Sequence, residues 1–384
     1  MDRLTRRALL TGAAASFAAP ALAQTRAARL FAYVGCYTTP ERYARGDGIH
    51  VYRVDAGGSG WVPVERVGEL VNPSFLAMRR DGRFLYAAHG DESYASAFAV
   101  EPASGRLTPL NRAASGGRNG VHLALDPAGR FLIVANYSSG SVGVLPVAAD
   151  GRLSDAVHVA ALPGQPGPHR VEQASSHPHQ ILFDPSGRFV VVPDKGLDRV
   201  FVFTFDRETG KLTPTVQGSA VARSGSGPRH GVFHPRLTVL WVLNEIGSTV
   251  TTYQWEAERG HLRPAQILSS LPADYTGENT AAEIALSRDA RFLYCSNRGH
   301  DSIATFAVDP ATGLLSAMAW TSSQGRTPRF ITLDPAGRML YAANEQSDTI
   351  VPFRVDEGSG RLTPAGAAVS NASPVTIVFA DSNG

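Results

Sequence analysis

Histidines, arginines and a glutamate recur in short contexts marked by proline or asparagine: Ser176-His177-Pro178-His179-Gln180, Gly227-Pro228-Arg229-His230, Asn244-Glu245, Asn297-Arg298 and Thr327-Pro328-Arg329. Side chains of these types do complementary work. A neutral imidazole or a carboxylate takes a proton from water. Guanidinium groups bind carboxylate or phosphate through two parallel hydrogen bonds and stabilise a developing oxyanion. The set suits attack of an activated water on an ester-like carbonyl, or proton transfer within an acid whose carboxylates the arginines hold. Taken singly, each residue has a plainer role, because a lone His or Glu in a loop is usually solvated and an Arg–Glu pair is usually a salt bridge. Only convergence in one cleft makes them a site.

What must position them is a repeat. Asp126-Pro127-Ala128-Gly129-Arg130, Asp184-Pro185-Ser186-Gly187-Arg188 and Asp334-Pro335-Ala336-Gly337-Arg338 are copies of one turn, with weaker copies at Arg80 to Arg83, His234 to Leu237 and Arg288 to Arg291. Asp-Pro opens a turn by fixing φ, and Gly closes it with positive φ. Each copy leads into an apolar strand, such as Phe131 to Ala135 or Phe292 to Ser296, then a polar loop and a third, alternating strand. Arg106-Leu107-Thr108-Pro109, Lys211-Leu212-Thr213-Pro214 and Arg361-Leu362-Thr363-Pro364 open a fourth. Four strands repeated about every fifty residues make an all-β, seven-bladed propeller, whose sheets pack face to face around a channel. Six copies are complete. The seventh blade is expected to form from both ends of the chain, with Pro374 to Ala380 supplying the first strand of a blade whose other three lie within Leu30 to Leu70.

The repeat aligns the chain with itself, so charges peculiar to one blade stand out from residues shared by most. Asn136, Asn244, Asn297 and Asn344 fall at one shared position and are expected to bond loop backbone. At the entry to the innermost strand the seven blades carry Ser74, Val121, His179, Arg229, Ala282, Arg329 and Val375, followed by Phe75, His122, Gln180, His230, Glu283, Phe330 and Thr376. After the second strand come Gly90, Tyr137, Lys195, Glu245, Arg298, Glu345 and Tyr37. Both loops lie at the same end of the ring. The channel mouth is therefore expected to gather His179, Arg229, Glu245, Arg298 and Arg329, with His122, Lys195, His230, Glu283 and Glu345 nearby. His177 is read as structural. A hard cation wants several converging carboxylate and carbonyl oxygens, whereas Arg and His dominate here, so no metal and no other cofactor is expected.

Ahead of the repeat, Thr5-Arg6-Arg7-Ala8-Leu9, an apolar run to Ala19 and Ala21-Leu22-Ala23 have the layout of a twin-arginine export signal cleaved after Ala23. The expected organisation is signal 1–23, linker 24–29 and propeller 30–384, with the Tat translocase as the precursor's partner and the periplasm as destination. The signal holds three arginines and one aspartate, so its removal brings a chain of formal charge +2 to neutrality. A neutral chain without a Lys/Arg run carries no electrostatic footprint for nucleic acid or an anionic membrane. Cys36 and Cys295, the only two cysteines, fall on non-adjacent blades and are expected to be buried free thiols.

In the motifs around His179, Arg229-His230, Glu245, Arg298 and Arg329, and in Phe233-His234-Pro235, the sequence resembles the seven-bladed lactonase family, which includes propeller-type 6-phosphogluconolactonases and is related to carboxy-muconate lactonizing enzymes. The resemblance covers Ala32 to Phe379. It implies a metal-independent hydrolase acting on a sugar-derived lactone, with His179, Arg229, Glu245 and Arg298 as catalytic positions and Arg329 beside them. His179 or Glu245 would activate the water, and Arg329, His230, His122, Lys195 and Glu283 would contact substrate. The alternatives are a muconate-type cycloisomerase and a periplasmic binding propeller without catalysis. An export signal sits poorly with a phosphorylated, cytoplasmic lactone.

Overall fold

A computed structural model describes residues 29–381; the export segment 1–23 and most of the linker lie outside the described residues. The strands form seven antiparallel sheets in a ring. Blades 1 to 6 begin at Pro73, Gly120, Pro178, Pro228, Thr280 and Pro328. Blade 7 joins the chain ends, as expected: strand Pro374–Asp381 pairs with Leu30–Cys36, in register Tyr33 to Val378. Each sheet runs from an innermost strand at the channel to an outer strand on the rim, with four strands per blade. In blade 6 the rim strand is split into Leu362–Pro364 and Val369–Ser370, both paired with Thr349–Val355.

Local chemistry explains the regularity. Oδ1 of Asp126 accepts the backbone N–H groups of Arg130 at 2.6 Å and Phe131 at 2.7 Å, and Asp334 repeats this with Arg338 and Met339. Gly129, Gly187 and Gly337 take positive φ of 68°, 65° and 73°. Two blades reach the same turn by substitution. In blade 4, His234 Nδ1 accepts the N–H groups of Arg236 and Leu237, and in blade 5 Ser287 stands for the aspartate and Ala290 for the glycine, at φ 62°. On the rim, Pro63, Pro109, Pro214, Pro264 and Pro364 each sit opposite an aromatic residue, Tyr52, Phe98, Phe203, Tyr253 and Phe353. Proline cannot donate to a ladder, and an edge strand is where a sheet tolerates it.

The core is divided into seven apolar layers, one at each junction between blades. Five junctions share a polar staple: an aromatic of one blade's second strand donates to the carbonyl of a rim-turn glycine in the next. Tyr33 bonds Gly105 at 2.9 Å, Tyr86 bonds Gly151 at 3.1 Å, Trp241 bonds Gly313 at 3.0 Å, Tyr294 bonds Gly360 at 3.0 Å and Tyr341 bonds Gly58 at 2.8 Å. The last spans the junction that closes the ring. A buried phenol needs such a partner, and each bond adds about 1 kcal/mol. Asn136, Asn297 and Asn344 donate to the carbonyls of Ser115, Ser270 and Ser323, and Asn244 to that of Thr249, so this position does bond loop backbone. Cys36 and Cys295 are buried and free.

Candidate active site

Two backbone devices aim side chains into the channel mouth. The first is a β-bulge, where one residue of the innermost strand has no partner in the second strand, which bends the strand and re-aims the side chain. The extra residue is Ser74 in blade 1, Val121 in blade 2, Arg229 in blade 4, Arg329 in blade 6 and Val375 in blade 7. In blade 5 the shift spans Ala282 and Glu283. In blade 3 Pro178 bridges Asp194 and the N–H of the next residue, His179, bonds the carbonyl of Pro193. The second device is a main-chain bond that locks the residue after the second strand. Lys195 N donates to His177 O at 3.0 Å, Glu245 N to Gly227 O at 2.7 Å and Glu345 N to Thr327 O at 2.9 Å.

These devices bring together every position picked out by register. Glu245 lies at the centre. Its Oε1 accepts Lys195 Nζ at 2.8 Å and lies 3.3 Å from Arg298 Nη2, while Oε2 accepts Arg229 Nε at 2.9 Å. Arg229 also donates to the carbonyl of Ala282, and Arg298 to that of Ala281. His179 Nε2 faces Glu245 Oε2 across 4.0 Å, too far for a direct hydrogen bond. His179 Nδ1 meets His230 Nε2 at 3.2 Å, and His230 Nδ1 lies 2.8 and 2.9 Å from the two oxygens of Glu283. His122 accepts the N–H of Ile181 through Nδ1 and packs its ring on Phe75 and His230. Arg329 reaches Tyr37 Oη at 2.6 Å and lies 3.8 Å from Glu345. His177 stacks on Tyr137 and bonds its carbonyl, a structural part.

Depth divides the set. His179, Arg229, His230, Lys195, Glu245, His122 and Glu283 are buried, whereas the side chains of Arg298 and Arg329 keep 13% and 18% of their surface exposed and line the opening. Burial works against the charge on Glu245, but Arg298, Lys195 and Arg229 outweigh it and hold the carboxyl far below the usual carboxylate range. The same carboxylate keeps Lys195 charged, at about 12, against the effect of its own burial. Burial brings Arg229 down to about 10, only partly offset by Glu245. Burial also pushes His179 and His230 well below the ordinary imidazole value, with Arg229 adding to it, so both are neutral at pH 7. Glu283, buried with a weaker counter-effect from Arg229, is raised to about 8.

Glu172 escaped the reading from sequence. It accepts Lys195 Nζ at 2.5 Å and comes from the connection between blades 2 and 3, residues 162–177, which has no counterpart in the repeat and so gave no register signal. Gln173 anchors this connection by donating to the carbonyl of Lys195 at 2.8 Å. The length of that connection was the one visible hint. Tyr37 and Tyr137 stood in the register but not in the site; Tyr37 bonds Arg329, and Tyr137 sets its ring edge-on to His179 at 5.7 Å. Among the described residues no three His, Cys, Asp or Glu side chains are grouped to ligate a metal ion. A second hollow, about 1030 Å³, lies at the turn end of the blades between Arg79, Asp126 and Ser186, away from this cluster.

The sequence matches the family described as Lactonase, 7-bladed beta-propeller, over residues 31–379. It is 34% identical to a 6-phosphogluconolactonase of Bacillus subtilis over 350 residues, 90% of this chain and 97% of the relative. A 6-phosphogluconolactonase of Formosa agariphila is 29% identical over 79% of this chain and 86% of its own. Among solved structures, the periplasmic gluconolactonase of Pseudomonas aeruginosa superposes with a TM-score of 0.85 at 32% identity, covering 92% of this chain and 99% of that one. With that match running the length of the ring, this chain belongs to the seven-bladed β-propeller lactonase family.

Proposed function

We propose that the protein is a lactonase that hydrolyses an unphosphorylated sugar-derived lactone. The observation that carries this reading is the clamping of Glu245 by Lys195, Arg229 and Arg298 beside a neutral His179. A carboxylate held by three cations is a poor base, which leaves His179 as the group that takes a proton from water. Its Nε2 makes no hydrogen bond to protein among the described residues and faces Glu245 Oε2 across 4.0 Å. In this assignment Glu245 fixes the cations, and Arg298, half free of it at the opening, steadies the lactone carbonyl as negative charge builds on its oxygen. Arg329 and Tyr37 hold substrate hydroxyls or a carboxylate.

The case against a phosphate rests on charge. Lys195 is already shared by Glu172 and Glu245, Arg298 sits beside Glu245 and Arg329 beside Glu345, so each of these three cations already faces a carboxylate, which weakens their pull on a dianion. The names of the relatives divide between phosphorylated and plain gluconolactone, and the expected export signal favours the second. We propose accordingly that residues 1–23 send the protein to the periplasm by the Tat route; replacing Arg6 and Arg7 by lysine is expected to retain the precursor in the cytoplasm.

The test is hydrolysis, followed by acid release, of glucono-1,5-lactone and its 6-phosphate by the purified protein, corrected for the spontaneous reaction. A kcat/KM for the neutral lactone at least about tenfold above that for the phosphate is expected. The reverse order would overturn the preference, and no rate above background on any aldonolactone would overturn the lactonase reading.

A further inference from the structure

Behind His179 the structure holds a line of three buried groups. Glu283 meets His230 Nδ1 with both oxygens, at 2.8 and 2.9 Å, and His230 Nε2 meets His179 Nδ1 at 3.2 Å. The far nitrogen of His179, Nε2, makes no hydrogen bond to the described residues and faces Glu245 Oε2 across 4.0 Å. Each imidazole–imidazole contact needs one donor and one acceptor, so the tautomers of neutral His179 and His230 are tied together. Two arrangements satisfy the line. In one, Glu283 is ionised and accepts His230 Nδ1–H, His230 Nε2 accepts His179 Nδ1–H, and His179 Nε2 carries a lone pair. In the other, Glu283 is protonated and donates to His230 Nδ1, His230 Nε2–H donates to His179 Nδ1, and His179 Nε2 carries a hydrogen.

We propose that His179, His230 and Glu283 form a proton wire, in which a proton taken up at His179 Nε2 comes to rest on the Glu283 carboxylate. This rests on the lactonase reading and deepens it. One water O–H bond breaks, its proton goes to His179 Nε2, and the oxygen forms a bond to the lactone carbonyl carbon as the carbonyl electron pair moves onto its oxygen. His179 Nδ1–H passes to His230 Nε2, and His230 Nδ1–H passes to Glu283. When the tetrahedral adduct collapses, the ring C–O bond breaks, the wire runs backwards, and His179 Nε2 returns the proton to the departing alkoxide. The products are the hydroxy acid and the starting enzyme.

The surroundings explain why a wire is needed. Arg229 flanks both histidines, Lys195 and Arg329 lie across the mouth, His122 packs on His230, Glu245 faces His179, and Cys295 sits near Glu283 with its thiol kept protonated by burial. An imidazolium in this cationic, dry setting is costly, as the depressed affinity of both rings for a proton records. Carrying the proton on to Glu283 removes a negative charge from a buried carboxylate and leaves both rings neutral. A weak base at the surface of the site is thereby coupled to a carboxylate whose own affinity for a proton lies at about 8.

The experiment compares wild type with Glu283→Gln, whose amide still bonds His230 Nδ1 but cannot take the proton. Imidazole ¹⁵N shifts are followed from pH 6 to 10, with His179 assigned from a His179→Gln sample. In wild type the His179 hydrogen is expected to move from Nε2 to Nδ1 around pH 8, and kcat to rise over the same range. In the variant the tautomer is expected to stay fixed, with kcat down about 100-fold, KM unchanged and the rise with pH gone. A His179 tautomer that does not change with pH in wild type overturns the wire, and so does a switch that survives in the variant. If the variant does not fold, the wild-type titration decides alone. Lactone turnover without a tautomer switch would leave the lactonase standing and the wire fallen, whereas a switch without turnover would do the opposite.

Discussion

Arg229 donates through Nε to Oε2 of Glu245 at 2.9 Å, with less than a tenth of either side chain exposed. Neither charge has water to fall back on, so each depends on the other. Glu245→Gln is expected to lower stability by about 3 kcal/mol, because Arg229 and Lys195 lose their common counter-charge. It should also cut kcat/KM by about 100-fold or more as the cations lose their fixed positions. Urea unfolding and steady-state kinetics check the two parts, and Arg229→Lys, with Glu245 in place, should retain neither stability nor rate fully, since an ammonium cannot serve Glu245 and the Ala282 carbonyl in the same geometry.

Glu172 governs the charge of the opening through its 2.5 Å contact with Lys195. Glu172→Gln should lower KM for a phosphorylated lactone by about tenfold while changing that for the neutral one less than about twofold, a difference of roughly 1.4 kcal/mol. Parallel kinetics on the two substrates measures it. Equal effects on both would remove Glu172 from any part in selection.

The proton affinity of Glu283 has a consequence for folding. Burial raises it from its ordinary 4.5 to about 8, so the folded chain holds this proton where the unfolded chain has lost it. The contribution of Glu283 to stability is full below about pH 4.5 and declines as pH rises towards 8, after which it is constant. Glu283→Gln should therefore be most favourable, relative to wild type, at pH 8 and above, and least at pH 5. Unfolding free energies at the two pH values test the sign.

Ala290 occupies the turn position that Gly129, Gly187 and Gly337 fill elsewhere, with φ 62°. A Cβ there costs about 1–2 kcal/mol of local strain, part of which is offset by the extra freedom glycine has when unfolded. Ala290→Gly is expected to raise stability by about 0.5–1 kcal/mol and to leave activity untouched, read as the urea midpoint and initial rate.

Most of the ring was legible before the structure, and for a physical reason. Asp-Pro-x-Gly-Arg is a local device whose own side chain and backbone close the turn, as Asp126 and Gly129 do, so its spacing reports blades directly. The membership of the mouth followed from the same register, since the bulge and the main-chain lock recur at one place in each blade. What stayed hidden depends on contacts between blades. Nothing around Tyr341 announces that its hydroxyl meets Gly58 across the chain closure, and nothing around Glu172 announces Lys195. What favours His179 over Glu245 in the proposed assignment was hidden too, because it turns on three cations delivered by blades 3, 4 and 5.

The bulge at the start of each innermost strand separates two duties that most folds ask of the same residue. Its neighbours carry the ladder, while the bulged side chain has no cross-strand partner of its own; Val121 alone among the bulged residues also belongs to an apolar layer, that between blades 2 and 3. Ser74, Val121, His179, Arg229, Ala282, Arg329 and Val375 occupy equivalent seats around one opening, and only some are used for charge. The ring can thus change what a seat carries, from Val121 within an apolar layer to Arg229 on Glu245, without altering the strand pairing on either side.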